Sequence, residues 1–177
     1  GLYWLLDAMA VIASETYTAV SAPVQFAAVR AFADTPDLRH YLATSRWILA
    51  GLMHACRDRL MDVGAALAVP QGAFYLFPDF EALRPRLVRA GLRSADEMCR
   101  RVLDETGVAM LPGREFGRPA DEFTARLALV DFDGAQALTA ADAPGARDDV
   151  IRFVAQYCAP VVSAVDRLAA WIRSLPA

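Results

Sequence analysis

The chain has 177 residues, enough for one domain with a substantial core. A hydrophobic content of 56% with 22% charged residues excludes a disordered tail, and a net charge of -3 without a basic patch excludes nucleic acid as the main partner. All 18 residues of the lysine-plus-arginine class are arginine, so the chain contains no lysine.

Residues 1–13 read as a short helix ending near Ser14. Ser21 is placed to cap a second helix, with Pro23 in its tolerant first turn, and Phe26 to Phe32 continue it as a run rich in small residues. Asp34-Thr-Pro-Asp37 breaks the chain, with Thr35 as N-cap and Pro36 as the first residue of a long helix over about 36–63. Leu38, Leu42, Ile48, Leu52, Cys56 and Leu60 keep helical spacing along it, and Gly64 is its stop. His40 and His54 lie in this helical pattern and receive no role. Ala66 to Val69 is a candidate short strand. Pro70-Gln-Gly72 is a turn, and Ala73 to Phe77 is a strand closed by Pro78. Phe74, Tyr75 and Phe77 suggest an apolar surface there, core packing being the ordinary use of an aromatic strand. Arg84 to Gly91 reads as a polar connection. Ser94-Ala-Asp-Glu97 is a capping box that opens a helix stopped by Gly107. Val108 to Leu111 is a buried strand, and Pro112 to Gly117 a loop whose two glycines permit close approach.

Phe123 to Leu129 alternates as a strand, with Phe123, Ala125, Leu127 and Leu129 on one face and a turn at Asp133-Gly134. Arg126 falls on the other face, between apolar neighbours. A guanidinium there must find an anion or water, and the partner that suits it best is a carboxylate gripped by two parallel hydrogen bonds. A solvent-facing arginine or a structural ion pair is the plainer alternative. A short helix over about 133–139, a loop to 147 and a last helix over 148–174, interrupted at Pro160, complete the chain. The expected fold class is α+β: helices packed on a small antiparallel or mixed sheet, preceded by a long helix.

Cys56, Cys99 and Cys158 show no paired spacing, so neither a disulfide framework nor a metal site is expected, and reduced thiols in a cytoplasmic protein are the default. No apolar run reaches the ~18 residues of a membrane span. The opening residues carry no basic n-region or cleavage signal. The chain starts inside an apolar stretch without a methionine, as a cut through a structured region would.

Four motifs occur in order: Ser14-Glu-Thr-Tyr17 with Ser21-Ala-Pro-Val-Gln25; Pro70-Gln-Gly-Ala-Phe-Tyr-Leu-Phe-Pro78; Gly107-Val-Ala-Met-Leu-Pro-Gly-Arg-Glu-Phe-Gly117; and Ala125-Arg-Leu-Ala-Leu129. The series resembles the C-terminal part of class I/II aminotransferases, fold-type-I pyridoxal-phosphate enzymes. The resemblance implies that residues 1–33 are a remnant of a large cofactor domain, and that residues 34–177 are the linking helix and small domain. It implies that Arg126 grips the α-carboxylate of an amino acid or 2-oxo acid substrate, and that the intact protein is a homodimer. The Tyr17 to Gln25 segment is similar to the one that reaches the partner's site, which makes Tyr17 and Ser21 cross-subunit candidates; local packing and capping are their plainer uses. The family also needs a lysine to hold pyridoxal 5'-phosphate, and none is present. The expectation is a C-terminal fragment, inactive alone, of a longer aminotransferase. A carbon-sulfur lyase or acyltransferase on the same scaffold, or a lysine-free carboxylate-binding domain, are the alternatives.

Overall fold

The computed structural model describes residues 2–17 and 19–176. The chain divides into two compact units, Gly1–Arg39 and His40–Ala177.

In the first unit, α1 (Tyr3–Thr16) and α2 (Ala22–Ala31) bury none of their residues. The first helix runs past Ser14 because the Ser14 and Thr16 hydroxyls donate back to the carbonyls of Val11 and Ile12, each at 2.7 Å, and so stay inside the helix. It ends where Tyr17 turns extended, at φ -152°. Ser21 stands at the N-cap position of α2, with proline in the first turn, but its hydroxyl makes no capping bond. Its carbonyl accepts from Val24 and Gln25 instead.

The long helix α3 (Pro36–Met61) opens as its sequence indicates, the Thr35 hydroxyl accepting the Leu38 N–H at 3.3 Å. Thr44, Ile48, Leu52, Cys56 and Leu60 recur every fourth residue and form its buried stripe.

In the second unit, β1 (Tyr75–Leu76), β2 (Leu111–Pro112) and β3 (Ala125–Ala128) form an antiparallel sheet in the order β1-β3-β2. Tyr75 pairs with Ala128 and Leu76 with Leu127, while Leu111 pairs with Arg126 and Pro112 with Ala125. Leu76, Ala125, Leu127 and Leu129 point inward and join residues of α3 in the core. The strands are shorter than their apolar runs. Ala73 leaves the strand conformation at φ 61°, and the 66–69 segment contributes a single bridge, Ala66 to Asp79. Burial without pairing explains the difference: Val108 and Met110 are buried but lie outside β2.

The stretch from Arg84 to Gly91 is not a plain connection. A 3-10 turn (Glu81–Leu83) runs into α4 (Arg84–Arg89), with Leu87 buried. Arg86 holds the segment by donating to the carbonyls of Arg173 and Leu175, at 3.1 and 2.7 Å. Then α5 (Ala95–Thr106) follows its capping box: Ser94 accepts the Glu97 N–H, and the Glu97 carboxylate accepts the N–H of Arg93, one residue before the cap. Gly107 stops the helix at φ 72°, a conformation that favours glycine. Asp133 caps α6 (Gly134–Ala141) and Asp149 caps α7 (Val150–Tyr157). The last helix breaks at Cys158, and α8 (Ala159–Ser174) restarts with Pro160 in its first turn. Val161, Val165, Leu168 and Ile172 of α8 complete the core.

Candidate functional site

Alternation along β3 sends Ala125 and Leu127 into the core and leaves Arg126 half-buried on the opposite face. Two aromatic rings flank its guanidinium, one from either side of the strand. The Tyr75 ring centroid lies 4.4 Å from Cζ on the β1 side. Phe116, in the 3-10 turn Gly113–Phe116 that follows β2, lies 4.2 Å away. Phe77 meets Phe116 edge-on at 5.9 Å, and Phe74 tilts against Tyr75 at 4.5 Å.

Tyr75 of β1 and Phe77 just after it do not serve the core as an aromatic strand ordinarily would. Tyr75 is 42% exposed and Phe77 39%, like Phe116 at 40% and Leu111 at 47%. Together they make an apolar collar on the outer face of the sheet, around one cation.

The other half-buried arginines among the described residues are all engaged. Arg57 donates to the Ala68 carbonyl, Arg59 to Asp166, Arg84 to Glu81, Arg86 to the end of α8, and Arg101 to Glu105. Arg126 makes neither a hydrogen bond nor an ion pair among the described residues; the rings hold it through cation–π contact alone. Its N–H fork is left for an anion, and a carboxylate fits that planar array with two parallel bonds.

Thr124 shares the outer face, two residues before Arg126, yet it is buried because the 3-10 turn lies over it. The Gly113 N–H donates to the Thr124 carbonyl at 2.8 Å. A Cβ on Gly113 would come within 1.9 Å of Thr124 Oγ1, so the approach requires glycine.

Tyr17 and Ser21 belong to the Gly1–Arg39 unit, where both are exposed, and Arg126 belongs to the other. His40 Nε2 lies 2.8 Å from Asp142 Oδ1, and His54 Nδ1 2.7 Å from the Ala50 carbonyl. Burial pushes the Cys56 and Cys99 thiols up to about 12 and Cys158 to about 11, which keeps all three protonated and inert at neutral pH. Among the described residues, no group of three or more His, Cys, Asp or Glu side chains could hold a metal ion. No helix among them is long and apolar enough to cross a membrane.

Sequence reasoning missed Phe116 and the stacking of Tyr75 on Arg126, although it singled out the 74–77 aromatics as an apolar surface and the glycines of the 112–117 loop as places of close approach. The signal was present as a lone phenylalanine between glycines in a polar loop, but its ring's target lies ten residues further on.

This arrangement of sheet and helices is that of known aminotransferases. It is similar to an aspartate aminotransferase from Thermotoga maritima, with a TM-score of 0.55 and 20% identity over 95% of this chain and 33% of that one. It is also similar to an aromatic aminotransferase from Pyrococcus horikoshii, with a TM-score of 0.54 and 21% identity over 85% of this chain and 31% of that one. The sequence model of the family described as aminotransferase class I and II matches residues 3–131, and the chain belongs to that family. Among curated proteins it is 31% identical to the aspartate aminotransferase of Geobacillus stearothermophilus over 116 residues, 65% of this chain and 28% of that protein. It is 28% identical to an asparagine–oxo-acid transaminase of Streptococcus mutans over 65% of this chain and 28% of that protein. The chain thus spans less than a third of the length of these relatives.

The family implies pyridoxal phosphate chemistry. The 177 residues contain no lysine, so no residue here fits the role of covalent anchor for that cofactor.

Proposed function

We propose that the chain is the C-terminal part of an aminotransferase that moves an amino group between an amino acid and a 2-oxo acid, and that Arg126 receives the substrate α-carboxylate. In this reading residues 1–33 belong with a cofactor domain, residues 34–177 are the linking helix and small domain, and the cofactor and its lysine lie in other parts of a cytoplasmic, homodimeric protein. Tyr17 and Ser21 would face the partner subunit's site.

One observation carries the reading. Arg126 is the half-buried arginine whose donors no described side chain or carbonyl occupies, and two rings aim it. A bidentate clamp on the carboxylate, common to all such substrates, fixes the Cα that must react. The apolar collar lowers the local dielectric and strengthens the clamp.

The test is Arg126→Ala in the complete reading frame. Losing one partner of a desolvated charge pair costs about 2–5 kcal/mol, so kcat/KM for half-transamination should fall roughly 30-fold or more, while the cofactor's absorbance is kept. Unchanged affinity for the amino acid would sink the assignment.

The absence of lysine favours a second reading, a non-catalytic domain that binds carboxylates. Tight binding of pyruvate by the 177-residue chain without cofactor would support it, since an isolated half-site should bind weakly.

A further inference from the structure

We propose that Gly113 and Thr124 are positioning residues for Arg126. Their close contact seats the 3-10 turn on β3 and thereby fixes the Phe116 ring against the guanidinium. This inference rests on the carboxylate reading for its functional consequence, but not for its geometry.

Thr124 and Arg126 stand side by side on the outer face of β3. The turn covers the first and overlaps the second. At Gly113 the two backbones approach so closely that the N–H donates to the Thr124 carbonyl at 2.8 Å, leaving no room for a methyl group: a Cβ would meet Thr124 Oγ1 at 1.9 Å and Thr124 Cβ at 3.0 Å. The Thr124 hydroxyl is enclosed without a hydrogen-bond partner among the described residues, the cost of being roofed by the turn. The turn is then closed on itself, Arg118 N–H to the Gly113 carbonyl and Gly117 N–H to the Arg114 carbonyl. Phe116 is its last residue, and its ring lands 4.2 Å from Arg126 Cζ, braced from behind by Phe77.

A side chain at position 113 must therefore lift the turn, and the rigid closure carries Phe116 with it. Arg126 would keep its charge and Tyr75 but lose one of two contacts that orient its fork. Losing one cation–π contact of ordinary strength corresponds to about 2- to 5-fold in carboxylate affinity.

The experiment uses the 177-residue chain and follows the Arg126 Nε–H resonance by NMR, assigned by its loss in Arg126→Lys. A proton over an aromatic face is displaced upfield, so wild type should show this resonance upfield of the solvent-exposed arginines. Gly113→Ala should return it toward them and weaken pyruvate binding 2- to 5-fold. Phe116→Leu, which keeps the turn and removes the ring, should match it. Gly113→Ala with Thr124→Gly removes both obstructing side-chain atoms, leaving the Thr124 carbonyl at 3.2 Å, and should restore most of the shift and the affinity, a rescue that general loss of stability would not give. A resonance unmoved by Gly113→Ala, or a double variant no better than the single, overturns the proposal. If Gly113→Ala does not fold, the double variant decides: recovery of fold and shift supports it, and failure overturns it. A displaced resonance that ignores pyruvate even in large excess, where a weak half-site would still fill, would leave the positioning intact and remove the carboxylate reading. Pyruvate binding with an undisplaced resonance would do the reverse.

Discussion

Arg84 and Arg126 invite comparison, since each stacks on an aromatic ring and each adjoins the Phe123–Ala128 segment. Arg84 lies 4.9 Å from the Phe123 ring centroid. Its fork is full: Nε and Nη2 grip the Glu81 carboxylate at 2.7 and 2.8 Å, and Nη2 also donates to the Asp121 carbonyl at 2.6 Å. The same Glu81 accepts the Phe123 N–H, so the cluster ties the turn before α4 to the start of the arginine strand. Arg126 has two rings and, among the described residues, no such partners. Stacking alone does not distinguish a brace from a receptor; in the proposed function the occupancy of the N–H donors does. In a half-buried setting an unfilled fork is costly to keep, and a carboxylate ligand relieves that cost.

The largest effect that would break the contrast is on binding. In the complete protein Arg126→Ala should lower 2-oxo acid affinity by about 2–5 kcal/mol, while the urea midpoint of the 177-residue chain should fall only slightly, by less than about 2 kcal/mol of stability, since two cation–π contacts but no hydrogen bond or ion pair among the described residues is lost. Isothermal titration beside urea unfolding measures both; a much lower midpoint with intact binding would reverse the roles of the two arginines. Next in size, Glu81→Gln should lower stability by about 1–3 kcal/mol, through the weakened bonds to Arg84 and the Phe123 N–H, and leave 2-oxo acid binding unchanged.

Acid sharpens the contrast further. The Arg84 hydrogen bonds hold the Glu81 carboxyl below its ordinary 4.5, against a smaller opposing effect of burial and with help from the Phe123 N–H. A depressed carboxyl stabilises the fold fully above its unfolded value and loses that contribution as pH falls through the folded one. The stability gap between wild type and Glu81→Gln should therefore be widest above pH 4.5 and close below it. Glu105 is depressed in the same direction by Arg101 and then Trp171, so the variant should keep some acid sensitivity. A gap that persists at low pH would mean the carboxylate is not what braces the turn.

The smallest effect belongs to an arginine of a third kind. Arg39 pairs with Asp34 at 2.6 Å, with both side chains mostly exposed. Arg39→Ala should change stability by less than about 1 kcal/mol, and by less still in high salt. A larger loss, read from urea unfolding, would show that exposure is a poor guide to which pairs matter here.

Much of the fold was legible because local chemistry and tertiary structure agree. Thr35 and Pro36 open α3, Ser94 opens α5, Gly107 closes it, and Pro160 interrupts the last helix, each for a reason contained in a few residues. The helix after Arg84 was missed because six residues carry too little periodicity, and what holds it, Arg86 on the end of α8, is some 90 positions away in sequence. Ser21 shows the converse: a good capping residue in the capping place, with no capping bond made.

Sequence alone determined the parity of β3, and with it that Arg126 leaves the core when Phe123, Ala125 and Leu127 enter it, because side chains alternate along any strand. It also determined that these 177 residues offer no lysine to a cofactor. Tertiary structure decided which rings meet the guanidinium and that no carboxylate among the described residues does. Those facts depend on strand order and on the approach of a turn to Thr124, and strand order and approach are set by packing between segments that no local pattern encodes.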